Sequence, residues 1–156
     1  MTDKRLEVHH KYFTSSFKAD IYNISRAVNG ALAYYDKSFD RMDEATRMEL
    51  KVVLNELLVN AVKHGGKSGA CGLIKAIAGM ATEDCAFLIV EDDGEGYDTD
   101  GLNKFHTDAL VEGRIEEVEE TGRGIFIVKC LCEDFMVNEK GNKVVIIKKL
   151  RKASGE

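Results

Sequence analysis

Proline is missing from this chain altogether, and no repeat or low-complexity stretch divides its 156 residues. One domain is therefore expected, residues 1–150, followed by a polar tail at 151–156, and a hydrophobic share of 44% suffices for a sizeable core. Long apolar runs are missing too. None nears the roughly 20 residues that cross a bilayer, and the charged start, Met1 to Glu7, has no apolar run behind it. The expected location is the cytoplasm, with no membrane partner. Basic residues are outnumbered, 22 against 27 acidic, and the formal charge of -5 would repel a phosphate backbone, so no nucleic-acid partner is expected. The four cysteines, Cys71, Cys85, Cys130 and Cys132, form no C-x-x-C pair and meet no histidines at metal spacing. Zinc and a disulfide framework are disfavoured, and reduced core thiols are expected.

What is present centres on one helix. Asp43 is a candidate N-cap, and from there apolar residues recur at helical spacing until Gly65 and Gly66 end the pattern near His64. Residues three and four apart share a helix face. Leu50, Leu54, Leu57, Leu58 and Ala61 form an apolar stripe; Glu56, Asn60 and Lys63 or His64 form a polar one. A carboxylate one turn from an amide oxygen suits a general base beside a ligand for a hard cation such as Mg2+. An ordinary solvated face would look the same.

Around it, residues 6–14 alternate enough for a half-buried strand, and the spacing over 17–35 predicts a first amphipathic helix. Residues 71–82 and 86–92 read as strands joined at Glu83-Asp84, the second buried on both faces along Phe87 to Val90. That strand runs into Asp92, Gly94 and Gly96, where glycines let the backbone approach a ligand closely. Residues 98–121 lose periodicity and are rich in glutamate, the pattern of a long loop or lid. Gly122-Arg123-Gly124 then opens a short helix, 125–131, whose N-terminal amides suit an anion. A hairpin, 135–138 and 143–150, closes the chain around Lys140-Gly141-Asn142, and the tail from Lys148 is expected to fray.

Neither the Walker lysine motif nor the three-glycine dinucleotide fingerprint occurs. The order of segments carries more than any one of them: Glu56 and Asn60 on a helix, Asp92-x-Gly94-x-Gly96 after a strand, a long loop, then Gly122-x-Gly124 at a helix start. These resemble the N, G1 and G2 boxes of the GHKL ATPases, the family of gyrase, Hsp90, sensor histidine kinases and MutL. Within it, size and the lone ATPase domain resemble the bacterial anti-sigma-factor serine/threonine kinases.

The resemblance implies an α+β, two-layer α/β sandwich of the Bergerat type, a mixed and mostly antiparallel sheet with helices on one face, and ATP with Mg2+ as cofactors. It makes Glu56 the general base, Asn60 the Mg2+ ligand and Lys63 a basic residue near the phosphates. Asp92 becomes the acceptor for the adenine amino group, with Gly94 and Gly96 beside the base, and Gly122 and Gly124 the lid glycines. An acceptor at Asp92 discriminates adenine from guanine, which presents an oxygen there. The implied partners are a sigma factor, an anti-sigma antagonist protein that is phosphorylated, and a second copy in a homodimer. One departure stands out: an arginine shortly before the second glycine pair is replaced by Glu120-Thr121, leaving Arg123 to supply that charge. A non-catalytic ATP-binding partner-switch module is therefore the rival expectation. A sensor histidine kinase is disfavoured, since His9 and His10 sit outside any long dimerising helix.

Overall fold

The computed structural model describes residues 12–65, 72–94 and 120–154. Five strands form one sheet in the order β1-β2-β3-β5-β4, namely β1 (Phe13–Lys18), β2 (Leu73–Met80), β3 (Cys85–Asp92), β4 (Asp134–Val137) and β5 (Lys143–Lys149). Every described strand pair is antiparallel. Among the described residues, three helices, α1 (Ile24–Ser38), α2 (Glu44–Gly65) and α3 (Glu120–Leu131), complete an α+β two-layer sandwich. Among the described residues, no helix is long and apolar enough to cross a membrane.

Period-2 alternation and helical spacing meet in a single core. Ile74, Ala76 and Ala78 of β2, Leu88 and Val90 of β3 and Ile146 of β5 are buried together with Val28 and Leu32 of α1 and with Leu50, Leu54, Leu57 and Leu58 of α2. Each buried leucine contributes about 2 kcal/mol of transfer free energy, which is what holds α2 to the sheet. Asp43 caps α2 as its sequence suggests: Oδ1 accepts the Thr46 amide at 2.7 Å, and the hydrogen bonds from Thr46 hold the carboxyl below its ordinary range. Tyr35, fully buried on α1, donates its hydroxyl to the Phe87 carbonyl, and burial raises its pKa. That bond ties the helix layer to β3.

Several sequence expectations shift. The first strand is Phe13–Lys18, with Phe13 and Phe17 turned to the core, so α1 begins at Ile24 after a 3-10 turn at Ile21–Asn23 and not at residue 17. β3 is buried on one face only: Phe87 and Ile89 alternate with Ala86, Leu88 and Val90 and are half-buried on the other side. α3 starts at Glu120, earlier than expected, and absorbs Gly122-Arg123-Gly124. The chain after β5 pairs back and does not fray: Met42 bridges Lys152, the Asp43 amide donates to the Arg151 carbonyl, and Leu150 is buried. Most of the expected lid, residues 98–119, lies outside the described residues, as do Cys71 and Gly96. Cys130 is exposed on α3, contrary to a core thiol, whereas Cys132 is half-buried and burial pushes its thiol up to about 12.

One buried cation joins three elements. Lys148 of β5, 1% exposed, donates from Nζ to Glu49 Oε2 of α2 at 2.7 Å and to the Leu131 carbonyl that ends α3 at 2.7 Å. It thus satisfies a carbonyl left over at a helix C-terminus, where positive charge is favoured. Arg151 adds a bond to Glu49 Oε1 at 3.0 Å. Burial alone would raise the Glu49 pKa, but the hydrogen bonds and charges of Lys148 and Arg151 outweigh it and hold the carboxyl low.

Candidate functional site

Two periodicities bring Asn60 and Asp92 together. On β3, Leu88, Val90 and Asp92 alternate onto the helix-facing side, so the strand's last residue carries its carboxylate under α2. On α2, Asn60 lies three residues beyond Leu57 and next to Ala61, on the edge of the buried stripe. Both polar side chains are buried, Asn60 at 7% and Asp92 at 4% exposed. They line one narrow cavity with Leu57, Ala61, Val90, Gly141, Asn142 and Val144. Its volume of about 10 Å³ holds roughly one water.

Asp92 is a buried acceptor. Burial pushes its carboxyl above the ordinary range, while the Gly94 amide, donating to Oδ1 at 2.7 Å, pulls the other way. The backbone on either side is gripped by Asn142: the Asp92 amide donates to the Asn142 carbonyl at 2.9 Å, and Asn142 Nδ2 donates to the Asp92 carbonyl at 2.8 Å. Asn142 is held in turn by Asn138, whose Nδ2 donates to Asn142 Oδ1 at 2.8 Å. Asn138 Oδ1 accepts the amides of Gly141, Asn142 and Lys143 at 2.9, 3.0 and 3.1 Å. Gly141, at φ 78°, takes the left-handed conformation this turn needs. Sequence reasoning saw Lys140-Gly141-Asn142 only as a turn. The signal was an asparagine on each side of a glycine, and nothing local says that one of them reaches across to Asp92.

Glu56, one turn before Asn60 on α2, is half-buried. Its carboxylate lies against Gly124 of α3 so closely that a Cβ there would collide with Oε2. Glycine at 124 is therefore what lets the carboxylate sit between the two helices. Gly122 and Arg123 lie in the first turn of α3 and Gly124 just beyond it. Lys63 is exposed, one turn beyond Asn60, and Arg123 is exposed on the first turn of α3; neither lines the Asn60 and Asp92 cavity. Gly94 is buried beside Asp92.

The donor set fits the cofactors that the segments imply. A buried amide oxygen with few other protein ligands suits Mg2+, which keeps waters and phosphate oxygens for the rest of its shell. A buried carboxylate at the end of a strand suits the donor edge of adenine.

A helix carboxylate and amide set over a strand-end aspartate, with a glycine-opened helix beside them, define a class of nucleotide-binding domain. The chain belongs to it: residues 17–148 match the histidine kinase-like ATPase domain family. Among characterised proteins it is similar to the serine-protein kinase RsbW of Oceanobacillus iheyensis, 27% identical over 101 residues, 65% of this chain and 63% of that protein. It is also similar to serine-protein kinase RsbW of Staphylococcus epidermidis, 25% identical over 131 residues covering 83% of this chain and 79% of the relative. The same kinase from Bacillus subtilis is 24% identical over 128 residues, covering 81% and 76%.

Proposed function

We propose that this chain is an ATP- and Mg2+-dependent protein serine/threonine kinase that phosphorylates an anti-sigma antagonist and sequesters a sigma factor. The observation that carries the reading is the shared cavity of Asn60 and Asp92, since a cation ligand and a base acceptor on one ligand must face the same space. In it, Asp92 accepts the adenine amino group, with Gly94 and Gly96 beside the ring. Asn60 supplies an oxygen to Mg2+, Lys63 and Arg123 lie toward the phosphates, and Gly122 and Gly124, inside α3, are the lid glycines beside them. Asn60 would hold Mg2+, which when bound would supply positive charge to offset that of the phosphoryl group. Glu56 accepts the serine hydroxyl proton. The sigma factor, the antagonist and a homodimer enter through the resemblance to anti-sigma kinases, supported by the likeness to serine-protein kinases named above.

Titration of ATP into wild type, Asp92→Asn and Asn60→Ala, with and without Mg2+, tests the site. Asp92→Asn should weaken adenine nucleotides whether or not Mg2+ is present, and Asn60→Ala should chiefly remove the Mg2+ dependence. Equal affinity in all three proteins would sink the assignment. A second reading, an ATP-binding switch module without transfer, is favoured by one observation: Glu120-Thr121 stands where related kinases carry arginine. Incubation with ATP and candidate antagonist proteins separates the two, because a module would bind ATP and leave no phosphoprotein.

A further inference from the structure

We infer that Asn142 is a positioning residue that sets base selectivity, holding Asp92 through its backbone, and that Asn138 in turn holds Asn142. The inference rests on the reading of Asp92 as the adenine acceptor and adds a device that the sequence motifs do not contain.

The hydrogen bonds have a direction. Asp92 is the last residue of β3, where the ladder to β5 has just ended at the Glu91 and Lys143 pair. Ile74 of β2 still pairs with Asp92 on the other edge, so the β5 side is where its backbone and carboxylate keep freedom to shift. Asn142 removes that freedom twice, once by accepting the Asp92 amide on its own carbonyl and once by donating its side-chain amide to the Asp92 carbonyl. Together the two bonds continue the sheet by one residue, the second of them made by a side chain. Asn142 is 9% exposed, so its side-chain groups are expensive to leave unpaired, and both find partners: Nδ2 on Asp92 and Oδ1 on Asn138. Asn138, itself exposed, gathers three consecutive amides on one oxygen and so fixes the turn from which Asn142 projects. The chain of contacts runs from an exposed turn to the Asp92 carboxylate, the one acidic side chain lining the cavity among the described residues. A hydrogen bond between a charged acceptor and the base is sensitive to its placement, because its strength falls steeply away from good geometry.

Selectivity, more than affinity, is the property this arrangement should control. Adenosine diphosphate and the purine nucleoside diphosphate lacking the 6-amino group differ only in the donor that Asp92 would meet. The affinity ratio of the two therefore reads the placement of its carboxylate and is blind to a general loss of folded protein. Wild type should prefer adenosine diphosphate about ten- to hundredfold, the range for one hydrogen bond to a charged group. In both Asn142→Ala and Asn138→Ala the ratio should fall toward one, mainly by weaker binding of adenosine diphosphate, with the analogue changed by less than about threefold. Because Asn138 does not line the cavity, a fall in that variant points to positioning and not to a lost direct contact.

Two results overturn the inference: both variants keeping the wild-type ratio, or both nucleotides weakening by the same factor. Asp92→Asn, titrated alongside, tells its failure from that of the reading beneath it. A ratio that collapses in Asp92→Asn but not in the asparagine variants removes only the inference, whereas a ratio unchanged in Asp92→Asn removes the adenine assignment as well. Should Asn142→Ala not fold, Asn138→Ala decides alone, since its substitution falls on an exposed turn.

Discussion

At position 124 the single hydrogen of glycine decides where a carboxylate on another helix can lie. Any Cβ there meets the far end of the Glu56 side chain, which is flexible and can swing aside. Gly124→Ala should therefore leave the fold close to wild type while moving the group assigned as base. Displacements of about 1 Å at a reacting group cost on the order of 100-fold in rate. Phosphotransfer to an antagonist protein at saturating ATP should fall by about that factor; an unchanged rate would detach Glu56 from the chemistry. Glu56 and Asn60 are legible in the sequence because a helix has a fixed period, so one turn of spacing is also a shared face. Their partners are not legible at all. Asn142 bonds Asp92 across a sequence separation of 50, and Gly124 meets Glu56 only after α3 docks on α2.

Among the elements, α3 depends most on a contact that no pattern announces. Its C-terminal carbonyl is met by Lys148, which the sequence reading put at the start of a fraying tail but which is 1% exposed and pairs with Glu49 at a separation of 99. Lys148→Met should lose roughly 3 kcal/mol of stability, the lower end for removing one partner of a buried ion pair, because Glu49 keeps Arg151. Chemical denaturation measures it, and a loss under about 0.5 kcal/mol would mean that the methionine packs as well as the cation binds. The boundary between β1 and α1 failed for a different reason. Phe17 fits a period of two with Phe13 and also a helical period with Ile21 and Ile24, and pairing with β2 decides between them. Likewise the apolar run of β3 has apolar residues on both sides, yet the helix layer covers only Ala86, Leu88 and Val90.

For the whole molecule, two carboxylates act on stability with opposite sign. Glu49 has its pKa lowered from 4.5 by its cationic partners, so its contribution is present above that value and is lost as pH falls through the lower folded value. Asp92 has its pKa raised from 3.8 by burial, so the folded state holds its proton longer than the unfolded chain does, and stability declines as pH rises through that window. Melting curves from pH 7 down to pH 3 should therefore show an acid-side fall that Glu49→Gln flattens, while Asp92→Asn should melt above wild type at pH 7 and close to it near pH 3. Parallel curves in all three proteins would contradict both assignments. At this scale the composition was a fair guide. Composition pointed to one domain, and the sheet with helices on one of its faces was implied by the resemblance to the GHKL ATPases, whereas the strand order, with β5 inserted between β3 and β4, required the structure.

Cys130 gives α3 an attachment point of its own. It is exposed, whereas the neighbouring thiol of Cys132 is pushed up to about 12 and is poorly reactive near neutrality. A maleimide dye placed there would ride on the same helix as Gly124, which packs against the Glu56 carboxylate.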